Sequence, residues 1–388
     1  DSTLKNLNGK FSFINGDLKS EPMTANWFNQ PLNVDFSTTE GAKAYQVAVN
    51  LQGDWQPTRM GILPAQVNDA LSGSMAWNGK VGIDLPYHAG PTYDIELKGD
   101  LKNVSSHLPA PLNKAAGEAL PVNVKANGNL RSFDLTGNAG SKNHFNSRWL
   151  LNQKLTLDRA IWTSESRTVP ALPDQQGIEL NLPPMDGAQW LALFQKGAAD
   201  NVGTNANFPQ RITVRTPSLS LGGQQWNNLS IVSEPASNGS SVQAQGREIN
   251  ATLAMRNNAP WLANIKYLYY NPSAAKASPG NTSASPFSAV DNFSFRGWPD
   301  LQLRCAECWM WGQKYGRIDA DVAIKGDTLT LSNGLLDTGF ARLTTDGVWV
   351  NAPGKERTSL KGKLSGNKID SAAGFFGVST PIRNSSFN

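Results

Sequence analysis

Cysteine and histidine are nearly absent from this chain: two of the first and three of the second in 388 residues. His88, His107 and His144 lie far apart in sequence, so they outline no metal or acid–base centre. HExxH, GxSxG, the P-loop and GxGxxG are all missing, which removes the common hydrolase, nucleotide and dinucleotide signatures. No enzyme, metal or cofactor is expected. Nor does any run approach the roughly 20 apolar residues that cross a bilayer as a helix, and no signal peptide opens the chain. Because the chain begins at Asp1 and stops at "TPIRNSSFN", on the approach to another strand, we expect a fragment whose membrane anchor lies elsewhere. Charge is scarce too: Asp, Glu, Lys and Arg make 17% of the residues, against about a quarter in a typical globular protein. With abundant Ser, Thr, Asn, Gln and Gly, that balance points outside the cytoplasm. The formal charge of +4 is carried by scattered single residues, so nucleic acid is not an expected partner.

What the chain does have is period-2 alternation. "AYQVAVNLQG" sets Tyr45, Val47, Val49 and Leu51 on one face, and "RIDADVAIKGD" sets Ile318, Ala320, Val322 and Ile324 opposite Arg317, Asp319 and Asp321. Such pieces are half-buried strands, and about twenty fit in the chain. Their connections carry turn chemistry: "AWNGKVG" reads as an Asn-Gly hairpin, with "INGDL" and "IKGDT" as variants, so an antiparallel meander is expected. Helix signals are few. The best is "PMDGAQWLALFQKG", a helix near 186–196 capped by Asp186 and carrying Trp190, Leu193 and Phe194; weaker ones are 112–120 and 369–377. The stretch 271–292 is Ser, Ala, Pro and Gly with little to bury, and reads as a linker or long loop between strand sets at 1–270 and 293–388.

The two cysteines form a CxxC at Cys305 and Cys308. Zinc needs two further Cys or His ligands, and there is no other Cys and no nearby His. A thioredoxin-like redox pair needs a βαβ setting that the pattern lacks. A local disulfide in a turn is favoured over free thiols, in an oxidising compartment. Twelve tryptophans and the "YLYY" run at 267–270 leave a carbohydrate-binding or scaffold protein as the alternative to ordinary aromatic packing.

Many one-sided strands need a cover, as a sandwich, a barrel or an open sheet whose apolar side faces a ligand. Alternation alone does not choose among these. The stretches "FRGWPDLQLRCAECWMWGQKYGRIDADVAIKGDTLTLSNGLLDTGFARLTTDGVWV", "TSLKGKLSG" and "HLPAPLNKAAGEALPVNVKANG" resemble the large AsmA-like, TamB-related proteins of the Gram-negative envelope, and the resemblance covers the whole chain as an internal piece. It implies an inner-membrane-anchored protein whose periplasmic part is a mainly β, elongated, twisted and curved antiparallel sheet. That sheet would form an open hydrophobic groove, a repeating β-groove or β-taco, that carries phospholipids between inner and outer membrane. On that implication the groove-lining candidates are Tyr45, Val47, Val49, Leu51, Ile83, Ile95, Leu97, Val122, Val124, Ile212, Val214, Leu253, Ile318, Val322, Ile324, Leu329, Leu331, Val348 and Val350. Trp190, Leu193 and Phe194 are candidates for a plug or support.

Overall fold

Alternating residues with one apolar face can stay extended only when hydrogen-bonded edge to edge, and the computed structural model shows that arrangement almost throughout. It describes residues 4–387 except 62, 64, 191–205, 273–296, 353, 376–378, 380 and 384. Contacts divide the chain into two units, residues 1–216 and 217–388. The expected linker at 271–292 lies almost wholly outside the described residues. The strands on either side of it pair with each other inside the second unit.

In the first unit the strands are β1 Lys5–Asn8, β2 Phe11–Ile14, β3 Asp17–Ser20, β4 Met23–Trp27, β5 Gln30–Glu40, β6 Ala44–Trp55, β7 Leu71–Ser72, β8 Met75–Pro86 and β9 Thr92–Asp100. They continue as β10 Ser105–Ser106, β11 Pro121–Asn129, β12 Ser132–Ala139, β13 Asn143–Leu151, β14 Leu155–Thr163, β15 Gly177–Asn181, β16 Met185–Asp186, β17 Ala206–Asn207 and β18 Ile212–Leu221. Antiparallel pairing runs β4, β5, β6, β8, β9, β11, β12, β13, β14 in that order. β15 then joins β14, and β18 joins β15, both in parallel. The second unit repeats the plan with β19 Gln224–Ala236, β20 Gly239–Gln245, β21 Ile249–Arg256, β22 Trp261–Tyr270, β23 Leu301–Met310, β24 Gln313–Lys325, β25 Thr328–Asp337, β26 Ala341–Val350 and β27 Arg357–Gly366. Neighbours are antiparallel except β22 and β23, which are parallel.

The sheet is therefore mainly β and open, as expected, but mixed rather than purely antiparallel. The reason is topological: a parallel pair needs the chain to return across the sheet, as segment 164–176 does between β14 and β15. The turns at "INGDL" and "IKGDT" join β2 to β3 and β24 to β25. "AWNGKVG" does not turn: Asn78 and Gly79 lie inside β8. Gly79 faces the apolar side, where an added Cβ would lie 2.6 Å from Leu97 Cδ2, so this glycine makes room for packing rather than reversing the chain.

Among the described residues the helical segments are Ala65–Asp69, Ile369–Phe375 and 187–190. The last begins as expected, with Asp186 Oδ1 accepting from the Ala188 backbone N–H at 3.0 Å. The segment 112–120, expected to be helical, is irregular. Pro109 and Pro111 precede it, Gly117 takes φ +93°, and Lys114 spends its ammonium on backbone carbonyls, including that of Val104 at 2.9 Å.

Candidate functional site

Cross-strand partners point to the same side of a sheet, so the register shows which residues share a face. In the first unit one row runs Met23, Val34, Leu51, Gly79, Leu97, Val124, Gly137, Phe145, Trp162, Leu180, Val214. The next runs Phe36, Val49, Val81, Ile95, Ala126, Leu135, Ser147, Ala160, Ile178, Ile212, and a third joins Val47, Ile83, Tyr93, Gly128, Phe133, Trp149 and Leu157. One face is thus apolar across eleven strands, on the order of 50 Å at roughly 4.8 Å per step. Every candidate of this unit, from Tyr45 to Val214, lies on it.

The other face is polar and wired. Glu96 pairs with Lys98 at 3.1 Å and with Lys125, and the hydrogen bond from Lys98 holds its carboxyl below the usual range. Asp134 accepts from Arg148 Nε at 2.7 Å and Nη2 at 2.8 Å; that fork lowers the Asp134 pKa and raises that of Arg148. Arg215 pairs with Glu179 at 2.9 Å. Depressions of about 760 and 640 Å³ open on the polar faces of the two units, the first lined by Asn33, Gln52, Asp54, Asn78 and Lys98 among others.

The apolar face is not uniformly sealed. Toward β4 and β5 it closes into a core of Met23, Ala25, Leu32, Val34, Trp55 and Trp77, with Trp55 and Trp77 in edge contact at 4.7 Å between ring centroids. Further along, Ile83, Ile95, Leu97, Val124, Phe133 and Leu135 are only half-buried. There a cavity of about 190 Å³ opens, lined by Tyr93, Ile95, Leu97, Val124, Ala126, Phe133 and Leu135. Burial pushes the Tyr93 hydroxyl pKa up. Flanking it, Phe133 stacks on Trp149 and Phe145 on Trp162, each pair 6.1 Å apart. The rings lie over glycines: a Cβ on Gly137 would meet Phe145 Cζ at 2.7 Å.

In the second unit the corresponding face carries Val242, Leu253, Ala263, Leu303 and Ala320 in one row, Ile265, Cys305, Ile318, Leu336 and Leu343 in another, and Leu301, Val322, Leu331 and Gly347 in a third. Ile324 and Leu329 extend it. Val348 and Val350 are placed elsewhere: they pair with Thr330 and Thr328 and share the polar side, while Trp349 opposes Leu329. The consecutive apolar residues 348–350 hide the parity that the pairing resolves.

Cys305 and Cys308 are disulfide-bonded, with α-carbons 6.2 Å apart. The bridge does not sit in a turn. It lies inside β23, where the register shifts between the two cysteines, and both are buried on the apolar side, Cys305 to 1% exposure. Residues three apart in a regular strand face opposite ways; the bulge through Ala306 and Glu307 brings both sulfurs to one face. Trp190 donates its indole N–H to the Ala110 carbonyl at 2.8 Å, at the rim, and Leu193 and Phe194 lie outside the described residues.

Sequence reasoning missed Val34, Val81, Phe133, Leu135, Trp149 and Trp162. Period-2 alternation in "PLNVDFS", "KVGIDL" and "SFDLTG" could have found the first four, whereas adjacent apolar residues, as in "RWLLNQKL", blur the parity around Trp149 and leave it to cross-strand register. Among the described residues no helix is long and apolar enough to cross a membrane, and no group of three or more His, Cys, Asp or Glu is placed to hold a metal ion.

Comparison with known proteins places this geometry. The family model described as YhdP protein matches residues 1–388. The intermembrane phospholipid transporter YhdP of Escherichia coli strain K12 is 75% identical over 388 residues, which are 100% of this chain and 31% of the relative. The chain thus spans less than a third of that relative's length. No solved structure matches.

Proposed function

This chain belongs to the YhdP family, and from that premise we propose that it is a stretch of a periplasm-spanning bridge that shields phospholipid acyl chains between inner and outer membrane. The anchor and the ends that meet the membranes belong to other parts of the protein. The observation that carries this reading is the unbroken apolar face, closed at one end and half-buried around the Tyr93–Leu135 cavity. A closed sandwich would seal such residues; a groove leaves them available.

Physically, the face suits a sliding ligand. Apolar contact is non-directional, so a hydrocarbon chain moves from one strand's Val, Ile or Leu to the next without releasing a specific bond. Each methylene withdrawn from water contributes about 0.8 kcal/mol, and two acyl chains supply enough methylenes to hold the lipid while its head group stays wet. No covalent step is needed. The chain holds no nucleotide-binding motif, so direction and energy come from elsewhere.

The test is a photo-crosslinking amino acid placed in the full-length protein at Leu135, in the cavity, and at Thr136, on the opposite face. Phospholipid captured at Leu135 and not at Thr136 supports the reading. Equal capture at both, or none, contradicts it. For the glycan alternative, Trp55 and Trp77 are buried and Trp149 and Trp162 are engaged with Phe133 and Phe145, which leaves Trp298 and Trp311 as the exposed indoles.

A further inference from the structure

The two rims of the first unit's sheet differ. At one rim two of the connections are long, beside short turns at 28–29 and 140–142: segments 56–74 and 101–120 interlock there through the β7–β10 pair and the His107 N–H to Ala70 carbonyl bond at 2.8 Å. They bury Val104 and Leu108, and Trp55 and Trp77 are buried at the same strand ends. At the opposite rim the connections are short, at 41–43, 87–91, 130–131 and 152–154. Here the apolar face runs out uncovered: Leu85, Leu151 and Leu155 are exposed at its margin, Phe208 leans on Trp149, and Leu130 in its turn is 70% exposed.

On the strands Lys98, Lys125, Arg148, Arg159 and Arg215 are each in an ion pair, as is Lys142 in a turn of the covered rim. Lys80 on β8 and Arg59 and Lys102 in the covering segments are in none among the described residues, but the covering segments lie over the apolar face at their rim and leave it no open margin there. Lys43, Arg131 and Lys154, in three of the four turns of the open rim, have no ion-pair partner among the described residues, although Glu40 stands just before the first turn. Successive turns on one rim are two strands apart, so they are spaced at roughly 10 Å and the four span roughly 30 Å.

A row of exposed leucines with unpaired cations one step outside it matches an amphiphile lying with its tails on the sheet and its phosphate beyond the edge. We infer that the open rim is a head-group track: Lys43, Arg131 and Lys154 bind the phosphates of phospholipids whose acyl chains lie on the apolar face, and lipids load and ride with heads at this rim only. This rests on the phospholipid reading above and adds the side of exit and the residues that contact the head.

The test uses the full-length protein in cells labelled with radioactive phosphate, with a crosslinker at Leu135 and charge variants at the rim. Lys43→Glu, Arg131→Glu and Lys154→Glu together are expected to lower lipid capture at Leu135 about fivefold, from the modest worth of exposed ion pairs taken three times. The charge-keeping set Lys43→Arg, Arg131→Lys and Lys154→Arg should keep it, which separates charge from folding. A crosslinker at Arg131 should capture lipid, and one at Lys102 on the covered rim should not. Undiminished capture in the triple Glu variant, or equal capture at Arg131 and Lys102, overturns the head-group track while the acyl-chain reading stands. No capture at Leu135 in the unaltered rim overturns both.

Discussion

At the scale of single residues, glycine acts here as a packing device. Gly137 faces the apolar side between Val124 and Phe145, and a Cβ there would stand 2.4 Å from the Asn123 carbonyl oxygen, which cannot move aside. We expect Gly137→Val to destabilise the first unit by about 2 kcal/mol, read from urea midpoints. On the other face the Asp134–Arg148 fork sets a pH dependence. Its folded carboxyl pKa is depressed, so its contribution is present above the unfolded value of about 3.9 and is lost as pH falls through the folded one. Both side chains are about two-fifths exposed, so solvent screening limits the contribution to less than about 1 kcal/mol. Asp134→Asn should therefore lower stability slightly at pH 7 and flatten the acid limb below about pH 4 in a pH–urea series.

At the scale of elements, parity decides what a residue touches, and bulges reset it. The Cys305–Cys308 bridge clamps one such reset on the buried side of β23. Replacing both cysteines by alanine should cost the second unit about 2 kcal/mol, by the chain-entropy rule for a very short loop; an unchanged denaturation curve would make the bridge incidental. Trp349 and Val348 give the companion contrast. Trp349→Ala, on the apolar side opposite Leu329, should cost about 2 kcal/mol, and Val348→Thr, beside Thr330, should stay within about 0.5 kcal/mol. These elements also mark where the sequence was legible. Clean alternation in "AYQVAVNLQG" and "RIDADVAIKGD" put Tyr45–Leu51 and Ile318–Ile324 each on one shared face, and the register shows that face to be the apolar one. "DGVWV" did not, because three apolar residues in a row carry no parity. The Asn78–Gly79 pair misled for a related reason: local turn chemistry was overridden by Trp77 and Leu97, which need a glycine beside them in mid-strand.

At the scale of the molecule, composition and period-2 patterning indicated a mainly β protein, and the family resemblance indicated that its sheet is open and what its apolar side is for. The parallel pairs β14–β15 and β22–β23 were beyond reach of the sequence, because the choice of neighbour after a long return is made by tertiary contacts. So was the continuity of the face: period 2 shows that each strand has an apolar side, and only register shows that eleven strands turn it the same way. That continuity is the account's central claim, since a lipid path broken by one polar strand would strand its cargo. A crosslinker scan in the full-length protein along the row Leu51, Leu97, Val124, Phe145, Trp162 and Val214, against Gln52, Lys98, Lys125, Asn146, Thr163 and Arg215 on the other side, tests it most directly. Phospholipid adducts are expected beyond the sealed end of the first series and none in the second; adducts that ignore parity, or that stop midway along the apolar row, would rule out a continuous lipid path on this face.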